Sequence, residues 1–242
     1  MGLWKFLINS ILPPRCIHCG CILSEHNGLC AECFKKIRFI SEPMCACCGR
    51  PFDGEKEVAF GKTLYCAMCL KKKKKLLTMQ RSAFIYDDFS KNLILDFKFN
   101  DKTSSAETLA NMLYNAGRDI WKEKPDVLLP VPLHRRRLLQ RKYNQSALLV
   151  KYLSAKTGIP ADYFSLVRQQ NTVPQVSLSG KERRRNLISA FSAVKPENIK
   201  NRKVVLIDDV TTTGTTLEEC AKVLHKAGAA QIYALTLART ES

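Results

Sequence analysis

The chain has 242 residues, 45% of them hydrophobic, and a formal net charge of +17. A chain of this length buries a core without covalent staples, which leaves no need for a disulfide-stapled miniprotein. The basicity is not one tail. Lys and Arg outnumber Asp and Glu by 13 to 6 in residues 1–80 and by 26 to 16 in residues 81–242. Such a balance suits a polyanionic partner, either a phosphate-rich ligand or nucleic acid, or a merely soluble basic surface.

Residues 1–12 place Leu3, Trp4, Leu7, Ile8 and Ile11 at helical spacing. This predicts a short amphipathic helix, packed on the protein or touching a membrane surface. The stretch is too short to span a bilayer and lacks a small-residue cleavage site, so the expected compartment is the cytoplasm, with no transmembrane segment.

Residues 13–70 hold turn residues and no long periodic run. Ten of the 11 cysteines lie before residue 70, and eight of them form Cys-x-x-Cys pairs: Cys16/Cys19, Cys30/Cys33, Cys45/Cys48 and Cys66/Cys69. Four thiolates in tetrahedral array suit zinc, and each pair supplies two ligands from one tight turn. Two structural Zn²⁺ are expected. Sequential ribbons are favoured, with the first four cysteines on one metal and the last four on the other; interleaved pairing stays open. Cys21 and Cys47 are spare, His18 and His26 are expected at the surface, and Cys220 is expected to pack on a helix. The lysine run at residues 71–75 reads as a linker or a helix start, with a phosphate-backbone contact as the alternative. The domains expected are residues 1–75 and 76–242. The first serves as a structural or docking module, or presents Lys35, Lys36, Arg38 and the lysine run to nucleic acid.

From Arg81 the texture changes. Strands are expected over residues 82–86, 126–131, 203–208 and 231–238, and helices over 89–98, 103–121, 143–157 and 217–227. Residues 158–200 read as irregular and polar. Apolar strands alternating with helices predict an α/β fold, a mostly parallel sheet flanked by helices.

The strand at residues 203–208 ends in two carboxylates, Asp208 and Asp209, and Val-Thr-Thr-Thr-Gly-Thr-Thr follows before a helix. Ligands of open parallel sheets bind at the carboxyl ends of strands. Gly214 lets backbone amides close around an anion; the helix N-terminus and threonine hydroxyls add to the cradle. Thr211, Thr212, Thr213, Gly214 and Thr215 are therefore candidates for a monophosphate. The acidic pair is suited to sugar hydroxyls or a divalent cation. A cationic stretch, Arg135, Arg136, Arg137, Arg141 and Lys142, follows another strand end and suits a diphosphate.

Strand, two acids, small residues, Thr-Gly and Thr resemble the phosphoribosyl-diphosphate motif of type I phosphoribosyltransferases. The resemblance implies that Asp208 and Asp209 bind the ribose 2′ and 3′ hydroxyls, that the loop binds the 5′-phosphate, and that Mg²⁺ accompanies the diphosphate. Leu129-Pro-Val-Pro-Leu-His-Arg-Arg-Arg137 with Arg141-Lys-Tyr-Asn-Gln145 is similar to the competence protein F (ComF) branch of that fold. There a Pro-x-Pro-x…Arg-Gly-Phe-Asn-Gln stretch occupies the pyrophosphate loop; Lys142 and Tyr143 stand in place of Gly-Phe. Gln175, Leu178, Arg183, Asn186 and Phe191 match a further ComF pattern near the active site, which makes Asn144, Gln145, Arg183 and Asn186 additional candidates; Leu178 and Phe191 read as packing residues. Residues 16–70 match the family's zinc-binding front end. The resemblance implies glycosyl transfer from phosphoribosyl diphosphate to an acceptor the sequence does not name, and a role in natural competence with single-stranded DNA and a helicase-like partner. No catalytic residue is assignable: where purine-salvage relatives carry an acid, Thr212 stands. The alternatives are a DNA-handling adaptor without glycosyl transfer and a zinc-ribbon scaffold with a degenerate site; the intact Asp208-Asp209 and Thr-Gly loop argue against the last.

Overall fold

A computed structural model describes residues 13–24, 28–52, 59–60, 63–72, 75–99, 105–134, 138–139, 141–169 and 190–241. The expected helix at residues 1–12 lies outside them, as do His26, Arg135, Arg136, Arg137, Arg183 and Asn186.

The cysteine-rich part contributes helix α1 (Ala31–Lys36), hairpin β1 (Ala59–Phe60) and β2 (Thr63–Leu64), and helix α2 (Ala67–Lys71). Cys30 caps α1 through its sulfur, which accepts from the Cys33 amide. Lys71 closes α2 rather than opening a helix, a correction to one reading of the lysine run. Next come β3 (Met79–Ile85), α3 (Asp88–Phe99), α4 (Ala106–Ala116), α5 (Arg118–Lys122), β4 (Val127–Pro130) and α6 (Gln145–Thr157). The expected helix over 103–121 is broken at Gly117, where a Cβ would lie 2.7 Å from the Trp121 ring. Residues 158–200 are not wholly irregular: β5 (Leu166–Arg168) pairs antiparallel with β6 (Phe191–Ala193). Strand β7 (Lys203–Thr211), helix α7 (Thr215–Lys226) and β8 (Gln231–Arg239) complete the chain.

Strands β3, β8, β7 and β4, in that order, form a parallel sheet. Alternation along β7 explains its two covered faces. Val205 and Ile207 enter one core with α3, α4 and α6, while Val204 and Leu206 enter another with α7 and the β5–β6 hairpin. Strand β7 runs three residues past its expected end, so Asp208 and Asp209 lie within it, opposite β8.

Both sheet edges are covered. Residues 160–162 pair with β4 through Leu128 N–H to the Pro160 carbonyl and Asp162 N–H to the Leu128 carbonyl, both 2.9 Å. On β3, Ile40 N–H donates to the Ala83 carbonyl and Ile85 N–H to the Arg38 carbonyl. The cysteine-rich part thus satisfies backbone groups that an open edge would offer to another chain.

Candidate functional site

The carboxyl ends of β7 and β4 open onto a cleft of about 290 Å³. One wall is residues 211–217, between β7 and α7. Gly214 holds φ +74, a left-handed conformation that costs glycine no Cβ clash. Thr213 and Thr215 share a hydroxyl–hydroxyl hydrogen bond of 2.7 Å. Helix α7 begins at Thr215, so its first amides and positive dipole end face this wall.

The floor is acidic. Asp208 accepts from the Ser146 hydroxyl at 3.1 Å and from the Asp209 amide at 2.9 Å. Burial, and next the neighbouring Asp209 carboxylate, push the Asp208 carboxyl up to about 7. Asp209 pairs with Lys98 at 3.0 Å, and both side chains are largely buried.

The opposite wall joins the end of α3 to the start of α6. Arg141 donates to Gln145 Oε1 at 3.3 Å, Gln145 donates to the Lys98 carbonyl at 3.1 Å, and the Tyr143 hydroxyl donates to the Phe97 carbonyl at 2.5 Å. These bonds satisfy carbonyls that the end of α3 leaves unpaired. Asn144 caps α6 by accepting from the Ser146 amide and ties it to the residue just past β4 by donating to the Val131 carbonyl.

Of the residues singled out from sequence, Asp208, Asp209, Thr211, Thr212, Thr213, Gly214, Thr215, Arg141 and Gln145 line this one cleft. Lys142 is exposed and is not among the lining residues; Asn144 is not among them either. Tyr86, Lys98, Ser146 and Arg168 line the cleft without having been singled out. Lys98 and Tyr86 lie more than 100 residues before the acidic pair, and Arg168 falls in a stretch that reads as irregular. Only the β-strand packing order brings them in.

The eight paired cysteines form two tetrads, Cys16, Cys19, Cys30, Cys33 and Cys45, Cys48, Cys66, Cys69, with ligand atoms within 4.8 Å of one another in each. This is the sequential pairing. Amides of Cys30 and Cys66 donate to the sulfurs of Cys16 and Cys45, both at 3.3 Å. Hydrogen bonding from Cys48, helped by nearby amides, outweighs burial and holds the Cys45 thiol well below its ordinary value. Four sulfurs with amide donors aimed at them fit a tetrahedral Zn²⁺. His18 is not a surface residue: it is half-buried, stacks on Phe89 at 4.0 Å between centroids, and sets Nδ1 3.7 Å from Cys33 Sγ. Cys47 is buried beside the second tetrad, Cys21 is exposed, and Cys220 is buried on α7.

A family model described as a double zinc ribbon domain matches residues 7–71, and one described as a phosphoribosyl transferase domain matches residues 100–242. Competence protein F of Haemophilus influenzae is 38% identical over 93% of this chain and 96% of its own length. The chain belongs to the competence protein F family. Other relatives are the DNA utilization protein YhgH of Escherichia coli K12, 32% identical over 95% of this chain and 98% of its own, and competence protein ComFC of Bacillus subtilis, 27% identical over 90% and 87%. Against the ComF pattern, Lys142 replaces a glycine and adopts φ +64. That left-handed backbone costs a residue with a Cβ about 1 kcal/mol. Among the described residues no helix is long and apolar enough to cross a membrane.

Proposed function

We propose that the cleft binds 5-phosphoribosyl 1-diphosphate with Mg²⁺, and that the chain acts in DNA uptake or utilisation as a phosphoribosyltransferase-like protein. One observation carries the reading. A threonine-lined anion cradle at a helix N-terminus, an acidic pair and three cations, Lys98, Arg141 and Arg168, share a single cleft. In this reading the residue 211–215 loop takes the 5′-phosphate, and Asp208 and Asp209 accept from the ribose hydroxyls. Mg²⁺ would be held by diphosphate oxygens together with one carboxylate, as suits an ion that keeps few protein ligands. It would stabilise charge on a departing diphosphate as an oxocarbenium-like sugar develops. Two Zn²⁺ in the cysteine tetrads complete the reading, as does a division between residues 75 and 76. Tetrads that need thiolates rather than disulfides favour the cytoplasm.

Calorimetric titration of phosphoribosyl diphosphate and Mg²⁺ tests it, using the zinc-loaded parent beside Asp208→Asn/Asp209→Asn. Binding to the parent, and a loss of about tenfold or more in the variant, is the expected result. No binding to the parent sinks the reading.

A second reading has its own observation. Phe34 and Phe39 are exposed on the first ribbon, 5.0 Å apart between ring centroids, beside Lys35, Lys36 and Arg38. Exposed rings among cations suit stacking by bases of single-stranded DNA. Affinity for an oligonucleotide that falls steeply with salt, and falls again in Phe34→Ala/Phe39→Ala, is expected. An affinity unchanged by the double substitution argues against it.

A further inference from the structure

Lys98 has no counterpart in the motifs that mark the cleft, yet it is ion-paired with Asp209 of the acidic pair. Three features fix it there. Its ammonium lies 3.0 Å from Asp209 Oδ2, with both side chains withdrawn from solvent. Its backbone is the last turn of α3, whose negative dipole end favours a cation. The carbonyls of Phe97 and Lys98 are held by Tyr143 and Gln145, so α3 is bolted to the segment that carries Arg141. Through Gln145, Lys98 and Arg141 are joined in one wall.

A structural ion pair accounts for this only in part. Two acids share the floor and one lysine faces them, and that lysine also lines the open cleft. Phosphoribosyl diphosphate carries its 5-phosphate and its 1-diphosphate at opposite ends of the sugar, with the hydroxyls between. If the threonine loop takes the first and the acidic pair takes the hydroxyls, the diphosphate faces the wall of Lys98 and Arg141. Hydroxyls that donate to Asp209 compete for the oxygen that Lys98 now uses. The freed ammonium donors then meet diphosphate oxygens instead.

We propose that Lys98 is a diphosphate-recognition residue, paired with Asp209 and transferred to the diphosphate when ligand binds. The proposal rests on the phosphoribosyl reading above. It extends the anion site beyond the loop between β4 and α6 to a helix from the start of the domain.

The test compares phosphoribosyl diphosphate with ribose 5-phosphate, both with Mg²⁺, on the zinc-loaded full chain, Lys98→Met and Lys98→Arg. Lys98→Met is expected to weaken phosphoribosyl diphosphate about tenfold or more, while ribose 5-phosphate changes less than about twofold; Lys98→Arg restores part of the loss by restoring the charge. Equal losses for both ligands, or no loss for either, overturn the proposal. The first outcome would mean Lys98 only neutralises the acidic pair or holds the fold, which the melting temperature of each variant reports. A parent that binds neither ligand removes the phosphoribosyl reading itself and the proposal with it. A parent that binds both, with an unaffected Lys98→Met, removes the proposal alone.

Discussion

Arg239, at the end of β8, donates from Nη1 to the carbonyl oxygen of Cys48 at 2.6 Å, across 191 positions of sequence. It does not act alone. Arg81 donates to the Ala46 carbonyl at 3.1 Å and the Gln80 amide to the Cys47 carbonyl at 2.7 Å. Three successive carbonyls of the Cys45–Cys48 turn are therefore each bound by the sheet, two of them by buried arginines. Arg239→Met should leave the Cys48 oxygen without this donor and cost about 2 kcal/mol, read from the urea midpoint.

The same clamp predicts unequal consequences for the two tetrads. The second is buried except for Cys48, which is half-buried, whereas Cys19 of the first is exposed. Cys69→Ser is expected to lower the melting temperature of the whole chain in a single transition. Cys19→Ser is expected to lower it less, with metal content falling from two to about one per chain in either variant. Two separate transitions in Cys69→Ser would show that the second ribbon and the sheet melt independently.

Gly49 follows that turn and packs against the sheet. It holds φ +66, and a Cβ there would sit 2.5 Å from the Gln80 carbonyl oxygen. Gly49→Ala combines backbone strain with a clash against β3, and a loss of about 3 kcal/mol is expected by chemical denaturation. Gly20→Ala is the control: its φ is +76, but nothing lies within 4 Å of the new Cβ. Its loss should be distinctly smaller.

Lys142 poses the opposite case. An exposed lysine holds φ +64 where the family pattern has glycine. Lys142→Gly relieves the left-handed strain and gives back part of the gain as unfolded-state entropy, for a net stabilisation of about 0.5 kcal/mol. Lys142→Ala should bring no gain. The two melting temperatures, measured side by side, decide it.

Asp208 sets a pH dependence. Its carboxyl is pushed from an ordinary 3.8 up to about 7 by burial and by Asp209. Between these values the folded chain keeps a proton that the unfolded chain releases. The contribution is thus fully present below 3.8 and is lost as pH rises through about 7. Asp208→Asn should raise the melting temperature at about pH 8 and bring little change near pH 4. An equal shift at both pH values would place the effect elsewhere.

The sequence by itself determined the local chemistry. Cys-x-x-Cys spacing gave the four ligand pairs because each pair is a turn-sized unit, and the fold decided which pairs share a tetrad. The run from Leu206 to Thr216 carried the cradle and acidic pair because a strand end, a left-handed glycine and a helix start are all local. The apolar runs of β7 and β8, alternating with helices along the chain, set a sheet covered on both faces. Tertiary structure alone decided what joins the acidic pair in the cleft. Lys98, Ser146 and Arg168 come from a helix end, a helix start and a hairpin, and no short-range pattern records that parallel strand order 3-8-7-4 gathers them. It also decided that the Cys45–Cys48 turn is bonded to the sheet. The fold buries Arg81 and Arg239 and sets a donor of each on carbonyls 46 and 48, so that neither buried charge is left without partners.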